Sequence, residues 1–220
     1  TLSDRIAVMD KGIIVQVAAG TYTGTGNRDL DFKGKAITVE SESGDPADTI
    51  IDCQGSTTDP HRGLFFHTGE DSTSVLRNVT IRGGRTSTSG SGAGLYCVGG
   101  SGPKVEGCVF FQNGASAGGG IYCYQSDPIV VSCSFTDCTA SNAGGAIAAH
   151  TATPEVRGCT FSSNWAYWGG GVLSDYRAGT RLYNCEIRSN STNNLGGAIL
   201  TSESVSRTEA RNCIFHNNAS

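Results

Sequence analysis

Short stretches of alternating apolar and polar residues, separated by Gly, Ser and Asn, make up most of this 220-residue chain. Between residues 92 and 218 they return five times as one repeat, Gly-Gly-Ala/Gly-Ile followed by Val-x-x-Cys-x-Phe-x-x-Asn. The apolar residues that we align after the glycines are 26, 26, 25 and 27 positions apart: Leu95, Ile121, Ile147, Val172 and Ile199. The cysteines are 25, 26, 26 and 28 positions apart: Cys108, Cys133, Cys159, Cys185 and Cys213. Two sets of residues, the apolar ones and the cysteines, thus share one period. This predicts repeats that bury their apolar faces by stacking on each other.

The alternation within each repeat predicts strands. Helical repeats need apolar residues at three- and four-residue spacing, and this period contains none. Strands that return with each repeat fit a parallel β-helix, in which equivalent residues of adjacent coils stack about 4.8 Å apart. We therefore predict an all-β fold, a single-stranded parallel β-helix (a solenoid). We expect it to be right-handed, because parallel crossovers are overwhelmingly right-handed. Its interior would hold an aliphatic column, a Cys column and a Phe column.

The predicted single domain has three parts. Residues 1–12 are expected to form an N-terminal cap, a short helix whose Leu2, Ile6 and Met9 cover the first coil. Residues 13–61 carry short strands without the repeat and are interpreted as irregular initial coils, and residues 62–220 are the regular coils of about 26 residues. Because the sequence does not begin with Met and stops in mid-turn, we expect it to belong to a longer chain or assembly.

Two motifs carry a resemblance to a known family. The first is Gly144-Gly145-Ala146-Ile147, repeated at residues 196–199, and the second is Phe-x-x-Asn, which begins at Phe110, Phe161 and Phe215. This pattern resembles the repeats of chlamydial polymorphic membrane proteins and related secreted repeat proteins. Cys138 replaces the Asn in one coil, and Ile187 replaces the Phe in another. The opening strands are similar to those of pectate-lyase-like β-helices. The resemblance implies an extracellular or cell-surface β-helix that is often adhesive, and it implies no chemistry.

Large apolar side chains occupy outward positions of the strand that follows the glycines. We expect two outward rows; the first is Phe65, Tyr96, Tyr122, Ala148, Leu173 and Leu200, and the second is His67, Val98, Tyr124, His150, Asp175 and Ser202. A continuous exposed apolar stripe usually marks a contact surface. We therefore predict that other protein chains, including copies of this one, bind at Phe65, Tyr96, Tyr122, Tyr124, Leu173 and Leu200.

Two alternatives to this interface stay open. Glycans could stack on Tyr96, Tyr122 and Tyr124, and the strand face could be assigned to the wrong side.

The sequence favours no catalytic residue, cofactor or metal. The pair of His150 and Asp175 is more typical of a surface hydrogen bond than of a catalytic dyad. Solvated loop charges are the commoner explanation for a second polar cluster, Asp59, His61, Arg62, Glu70 and Asp71. We therefore predict a non-enzymatic structural or adhesive module. The alternative is a polysaccharide-binding or polysaccharide-cleaving β-helix, which would need facing carboxyls.

Cysteine and asparagine patterns suggest covalent modification, with a structural alternative for each. The repeat cysteines are interpreted as small interior hydrophobes. Cys97 and Cys123 share one register on adjacent coils and are a candidate disulfide. Asn78, Asn190 and Asn218 fit the N-glycosylation pattern. For Asn190 we favour a structural role in the turn that follows each Phe.

Charge and hydropathy exclude two kinds of partner. The net charge is −4 and 16% of residues are charged, whereas nucleic-acid binding needs a basic footprint. The chain has no apolar run near 18 residues, so we expect no membrane span.

Overall fold

The chain winds into coils of short parallel strands behind one short helix. The computed structural model describes residues 1–169, 171–203 and 206–220, with Ser174 and Asp175 described by their backbone alone. Helix α1 spans Leu2–Val8. The strands are β1 Ile14–Val17, β2 Gly20–Tyr22, β3 Leu30–Asp31, β4 Thr38–Ser41, β5 Thr49–Asp52, β6 Leu64–Phe66, β7 Val75–Arg77, β8 Thr80–Arg82, β9 Leu95–Cys97, β10 Lys104–Glu106, β11 Val109–Phe111, β12 Gly114–Ala117, β13 Ile121–Tyr124, β14 Ile129–Val131, β15 Ser134–Thr136, β16 Thr139–Ala143, β17 Ile147–His150, β18 Glu155–Arg157, β19 Thr160–Ser162, β20 Trp165–Ala166, β21 Leu173–Tyr176, β22 Arg181–Tyr183, β23 Glu186–Arg188, β24 Ser191–Thr192, β25 Ile199–Ser202, β26 Glu209–Arg211 and β27 Ile214–His216.

Each strand pairs in parallel with the equivalent strand one coil away, which builds four sheets along the rod. Sheet A has the order β1-β4-β7-β10-β14-β18-β22-β26, and sheet B has the order β2-β5-β8-β11-β15-β19-β23-β27. Sheet C is β3-β6-β9-β13-β17-β21-β25, and the shorter sheet D is β12-β16-β20-β24. The predicted all-β parallel β-helix is therefore confirmed, because every neighbour in a sheet is reached by a full turn of the chain.

Columns of like side chains fill the interior. Phe110, Phe135 and Phe161 are register partners in sheet B, and their stacked rings lie 4.8 and 4.9 Å apart. Between the strands of sheets A and B, Cys108 lies under Cys133, since the pairs on either side of them are in register. All these side chains are at least 98% buried. The predicted Phe and Cys columns are thus present.

A ladder of buried asparagines holds the turn after sheet B. The side-chain oxygen of Asn190 accepts the backbone N–H of Asn164 at 2.9 Å, and that of Asn218 accepts the N–H of Asn190 at 3.0 Å. The side-chain amide of Asn164 donates back to Phe135 O at 3.0 Å. Each coil therefore satisfies backbone groups of its neighbour that water cannot reach.

The corner between sheets A and B has left-handed backbone in successive coils. Asn78 has φ 52°, Gly107 has φ 62° and Ser132 has φ 52° at equivalent positions. Asn and Gly tolerate this region better than other residues, so the conformation explains an Asn at position 78 without reference to modification.

Helix α1 covers the first coil, which confirms the predicted short N-terminal capping helix. A capping box between Thr1 and Asp4 starts the helix, and its apolar Leu2 and Ile6 are buried in the core. Lys35 Nζ donates to the backbone carbonyls of Ile6 and Ala7 at 2.9 and 2.6 Å. This lysine satisfies the C-terminal end of the helix and fixes it to the second coil.

The initial coils of residues 13–61 share the sheets of the later ones. Strand β1 pairs with β4 in sheet A, β2 with β5 in sheet B, and β3 with β6 in sheet C. Their irregularity lies in the loops between strands.

Candidate functional site

The outer face of sheet C carries a ladder of aromatic rings. Phe65, Tyr96 and Tyr122 are register partners on β6, β9 and β13 and point outward, because strand residues alternate between faces. The rings of Phe65 and Tyr96 lie 5.3 Å apart, and those of Tyr96 and Tyr122 lie 5.4 Å apart. We call these three residues the first ladder. The next position in this row is Ala148, so the ladder stops there.

The predicted outward position of Leu173 is wrong. Leu173 pairs with Ile147 and is 1% exposed, so it lies in the interior column. The predicted alignment is off by one residue. Residues 169–171 are three consecutive glycines, so the Gly-Gly pair of the repeat can be aligned with either the first two or the last two of them. Backbone pairing places Ser174, not Leu173, in the outward row between Ala148 and Leu200. Leu200 is outward and half-buried, as expected.

The same shift changes the second outward row. Tyr176, not Asp175, pairs with His150, and Asp175 pairs with Ala149. The side chain of Asp175 lies outside the described residues, so the predicted contact between His150 and Asp175 has no structural description. The ring centroid of His150 lies 5.1 Å from that of Tyr124 and 4.7 Å from that of Tyr176. We call Tyr124, His150 and Tyr176 the second ladder. Tyr176 was missed, and a shift of one residue in the alignment would have found it.

A cleft of about 430 Å³ opens where the first ladder stops. Its floor is Ala148, and its walls include Tyr122, the rings of His150 and Tyr176, and Trp168 from the turn before β21. The remaining lining residues are Ala117, Asn142, Ala143, Ala149, Leu200 and Ser202. We call this the Trp168 cleft. It exists because a small residue stands where the preceding coils of this row carry rings.

Trp168 is held in place by backbone bonds on both sides. Its N–H donates to Asn142 O at 2.8 Å, and its carbonyl accepts from the N–H of Leu195 at 3.3 Å. The side chain itself is 56% exposed, and its neighbours Tyr167 and Leu195 are also exposed. The turn therefore presents three large apolar side chains beside the cleft.

The described lining of the Trp168 cleft contains no carboxylate, lysine or arginine. Burial raises the pKa of Tyr122 to about 12, and the nearby Tyr96, Cys123 and Tyr124 add to the shift. Tyr122 is therefore neutral at physiological pH. Such a cleft suits an uncharged ligand that offers a flat surface.

A polar cluster lies at the other end of the first ladder. His61 Nδ1 is 2.6 Å from Asp29 Oδ2, and His61 Nε2 is 3.2 Å from Asp59 Oδ1. The guanidinium carbon of Arg62 lies 5.0 Å from the ring centroid of Tyr96. Burial lowers the pKa of Arg62, and Nη1 has no hydrogen-bond partner among the described residues. The predicted cluster is thus partly assembled, with Asp29 as a member that sequence reasoning missed.

Glu70 belongs elsewhere, although the sequence grouped it with this cluster. Its carboxylate is 1% exposed and accepts from Gly34 N at 2.8 Å, Thr68 N at 2.9 Å and Ser101 Oγ at 2.9 Å. Burial by itself raises the pKa of Glu70, but these bonds and the residue's own N–H more than offset it, so the pKa is below its ordinary value. Asp71 is exposed and caps the turn at Thr73. Both acidic groups therefore have structural partners.

The candidate disulfide is not formed in the structure. Cys97 and Cys123 are register partners on β9 and β13, yet both are thiols. Each side chain is fully buried in the core. Burial in an apolar interior raises the pKa of the Cys97 thiol and makes it a weak nucleophile.

The structure buries one of the predicted glycan acceptors. Asn190 is 0% exposed, and its side-chain amide donates to Phe161 O at 3.1 Å and to Asn218 Oδ1 at 2.9 Å. A glycan on Asn190 is therefore incompatible with the folded ladder. Asn218 uses its amide in a bond to Ile187 O at 2.9 Å. Asn78 is half-buried, and glycosylation there stays a prediction.

The described part of the chain lacks two kinds of feature. No group of three or more His, Cys, Asp or Glu residues there could hold a metal ion. Of the helices in that part, none has the length and apolar character needed to cross a bilayer.

Comparison with known proteins identifies the fold family. The model of the right-handed β-helix region matches residues 12–186 and 118–220. A search of curated proteins and a search of solved structures each gave no significant match. The family match agrees with the parallel sheets and confirms the predicted hand. The chain belongs to the right-handed β-helix family.

Proposed function

We propose that the chain is a non-enzymatic structural or adhesive module, displayed outside the cell or on its surface, that binds a partner protein chain through the outer face of sheet C. The observation that carries this proposal is the aromatic surface of that face: two ladders, the Trp168 cleft between them, and exposed apolar side chains at its edge. Aromatic residues are enriched at the centres of protein interfaces, where they supply large contact areas.

The outer face of sheet A supports this choice by contrast. Arg77 donates to Glu40 at 2.9 Å and to Glu106 at 3.0 Å, and Glu155 pairs with Arg157 in the later coils. Several Arg–Glu pairs along one sheet are typical of a face that stays in water. Two faces of one rod therefore differ in kind, and the aromatic face of sheet C is the better candidate for contact.

The location outside the cell rests on the repeat motifs. They resemble those of polymorphic membrane proteins, and that resemblance, not the wider family match, supports surface display and adhesion. A second copy of the chain is the first partner to test.

Light scattering over a range of concentrations tests this function. We expect the wild-type mass to rise with concentration and the Trp168→Ala chain to remain monomeric. Trp168 is mostly exposed, so its truncation leaves the core intact. Arg157→Ala, on the outer face of sheet A, is the matched control and should associate like the wild type. A wild-type chain that stays monomeric, or equal association by the Trp168 variant, contradicts self-assembly through sheet C.

A neutral glycan is the second candidate ligand, and one observation favours it. The Trp168 cleft combines flat rings with the uncharged polar groups of Asn142 and Ser202. Rings stack on the apolar faces of sugars, while amides and hydroxyls bind sugar hydroxyls. Only binding is proposed, since the described lining offers no carboxyl pair for cleavage. A glycan array probed with the wild type and with Trp168→Ala decides this candidate, which fails if both chains give the same signal.

A further inference from the structure

A second cleft opens at the corner between sheets B and D, and it shares no lining residue with the Trp168 cleft. Its volume is about 380 Å³. The lining combines two glycines, two residues of opposite charge and two uncharged polar residues: Gly55, Gly83, Arg85, Asp137, Gln112 and Thr139. We call it the Arg85 cleft. The glycines leave the space that the longer side chains surround.

The backbone of Arg85 is held from both sides. Its N–H donates to His61 O and its carbonyl accepts from the N–H of His61, each at 2.8 Å. On the other side, the N–H of Thr86 donates to Gly114 O at 3.2 Å. The side chain lies over Gly114, because a Cβ atom at that position would collide with Arg85 Nη1. The guanidinium therefore points along the rod toward the following coils.

Asp137 lines the same cleft from a coil two turns away. Arg85 is bridged to Gly114, and Gly114 pairs with Thr139 on the next coil. Because strands of adjacent coils lie about 4.8 Å apart, the backbones of Arg85 and Thr139 are separated by roughly 10 Å. Asp137 lies two residues before Thr139. The cleft thus holds a cation and an anion on different coils, with the coil of Gln112 between them.

Neither charged side chain has a partner in the described part of the chain. The Arg85 guanidinium and the Asp137 carboxylate form no hydrogen bond and no ion pair with described residues, and they do not pair with each other. Other arginines of the rod are paired: Arg82 donates to Asp52 from two nitrogens at 2.9 and 3.0 Å. A ligand that carries both charges would give each side chain of the Arg85 cleft its partner.

We propose that the Arg85 cleft binds a small zwitterion of the amino-acid class, a molecule with one carboxylate and one ammonium group. Arg85 donates to the ligand's carboxylate, which matches the planar guanidinium through two parallel N–H bonds. Asp137 accepts from the ammonium group. Gln112 and Thr139 supply further polar contacts. A ligand with a single charge satisfies only one of the two charged walls, so the cleft selects against it.

This inference does not depend on partner binding at sheet C. The test is a titration of the isotope-labelled chain, followed by NMR, with three zwitterions whose charges are increasingly far apart: glycine, β-alanine and γ-aminobutyrate. We expect at least one of them to bind at millimolar concentration and to shift the amide signals of Gln112, Gly114 and Thr139. Acetate and methylammonium, which carry one charge each, should bind about tenfold more weakly. The absence of binding by all three zwitterions, or equal binding of acetate, overturns the proposal.

Two variants and two matched controls locate the binding. Arg85 is exposed and Asp137 is half-buried, so Arg85→Gln and Asp137→Asn should fold. Each removes one charge and should weaken binding of the zwitterion about tenfold. Asp48→Asn, at an exposed position, and Arg157→Gln, on the outer face of sheet A, should bind like the wild type. Amide signals outside the cleft check the fold. Wild-type affinity in either cleft variant contradicts the proposal and leaves the function proposed for sheet C untouched.

Discussion

The side-chain oxygen of Asn190 accepts two hydrogen bonds from Asn164, one from its backbone N–H and one from its side-chain amide, each at 2.9 Å. Asn190 in turn donates its own N–H to Asn218 at 3.0 Å. Neighbouring coils are thus joined through side chains as well as through the sheets.

Replacing Asn190 should therefore cost more than a typical surface change. Asn190→Ala leaves the N–H of Asn164 buried without an acceptor, and we expect a loss of about 3 kcal/mol in the free energy of unfolding. Urea denaturation measures it. Asn194→Ala is the matched control, because Asn194 is exposed, and it should change stability by about 0.5 kcal/mol or less. Equal effects would contradict the structural role of the ladder.

Stability should depend on pH through Glu70. Hydrogen bonds from Gly34, Thr68 and Ser101 favour its ionised form, so its folded pKa lies below the unfolded one. The stabilisation is then fully present above the unfolded pKa and is lost as pH falls through the folded pKa. We expect the stability difference between the wild type and Glu70→Gln to shrink as pH falls from about 5 to about 3. Glu42→Gln, at an exposed position, should track the wild type, and a pH-independent difference for Glu70→Gln would sink this assignment.

Filling the Trp168 cleft should abolish ligand binding while the chain still folds. Ala148 is the register partner of Tyr122. Gly118 packs against Tyr122 and Gly144 packs against Ala148, and both glycines have left-handed backbone, so the two positions have matching surroundings. Ala148 is itself 4% exposed, so Ala148→Tyr should still fold but lose about 1 to 3 kcal/mol in the free energy of unfolding. Its new ring would occupy the cleft. Far-UV circular dichroism checks the fold, and the glycan array and light scattering check binding; retained binding would place the contact elsewhere.

The interior position of Leu173 predicts a large loss of stability when this residue is truncated. Because Leu173 is an interior residue, Leu173→Ala should cost about 3 kcal/mol through lost burial and a cavity. Leu200→Ala, at a half-buried outward position, should cost about 1 kcal/mol or less. Thermal unfolding of both variants gives the comparison. A larger loss for the Leu200 variant would favour the outward placement of Leu173 that the repeat spacing predicts.

The sequence predicts the coil more fully than the site. A fixed period placed Cys108 and Phe110 in their columns, because side chains in stacked coils repeat with the period of the chain. The same reasoning failed at residues 169–171, where three consecutive glycines allow two registers and only backbone pairing chooses between them.

The parts of the site that escaped prediction join distant segments. Asp29 meets His61 across 32 positions, through initial coils that lack the repeat. Trp168 reaches the cleft because of the path of the turn before β21. The spacing of the repeat does not predict the path of a turn.

The helix at the start of the rod gives the molecule a direction. Leu2 and Ile6 close the core beside the first strands, and Lys35 fastens that lid to the next coil. Open strand edges invite pairing with other chains, and a helix laid across them prevents it. A fibre that grew by adding strands would therefore have to grow at the end opposite α1. Its two ends would differ from the first subunit onward, because α1 would cover one of them.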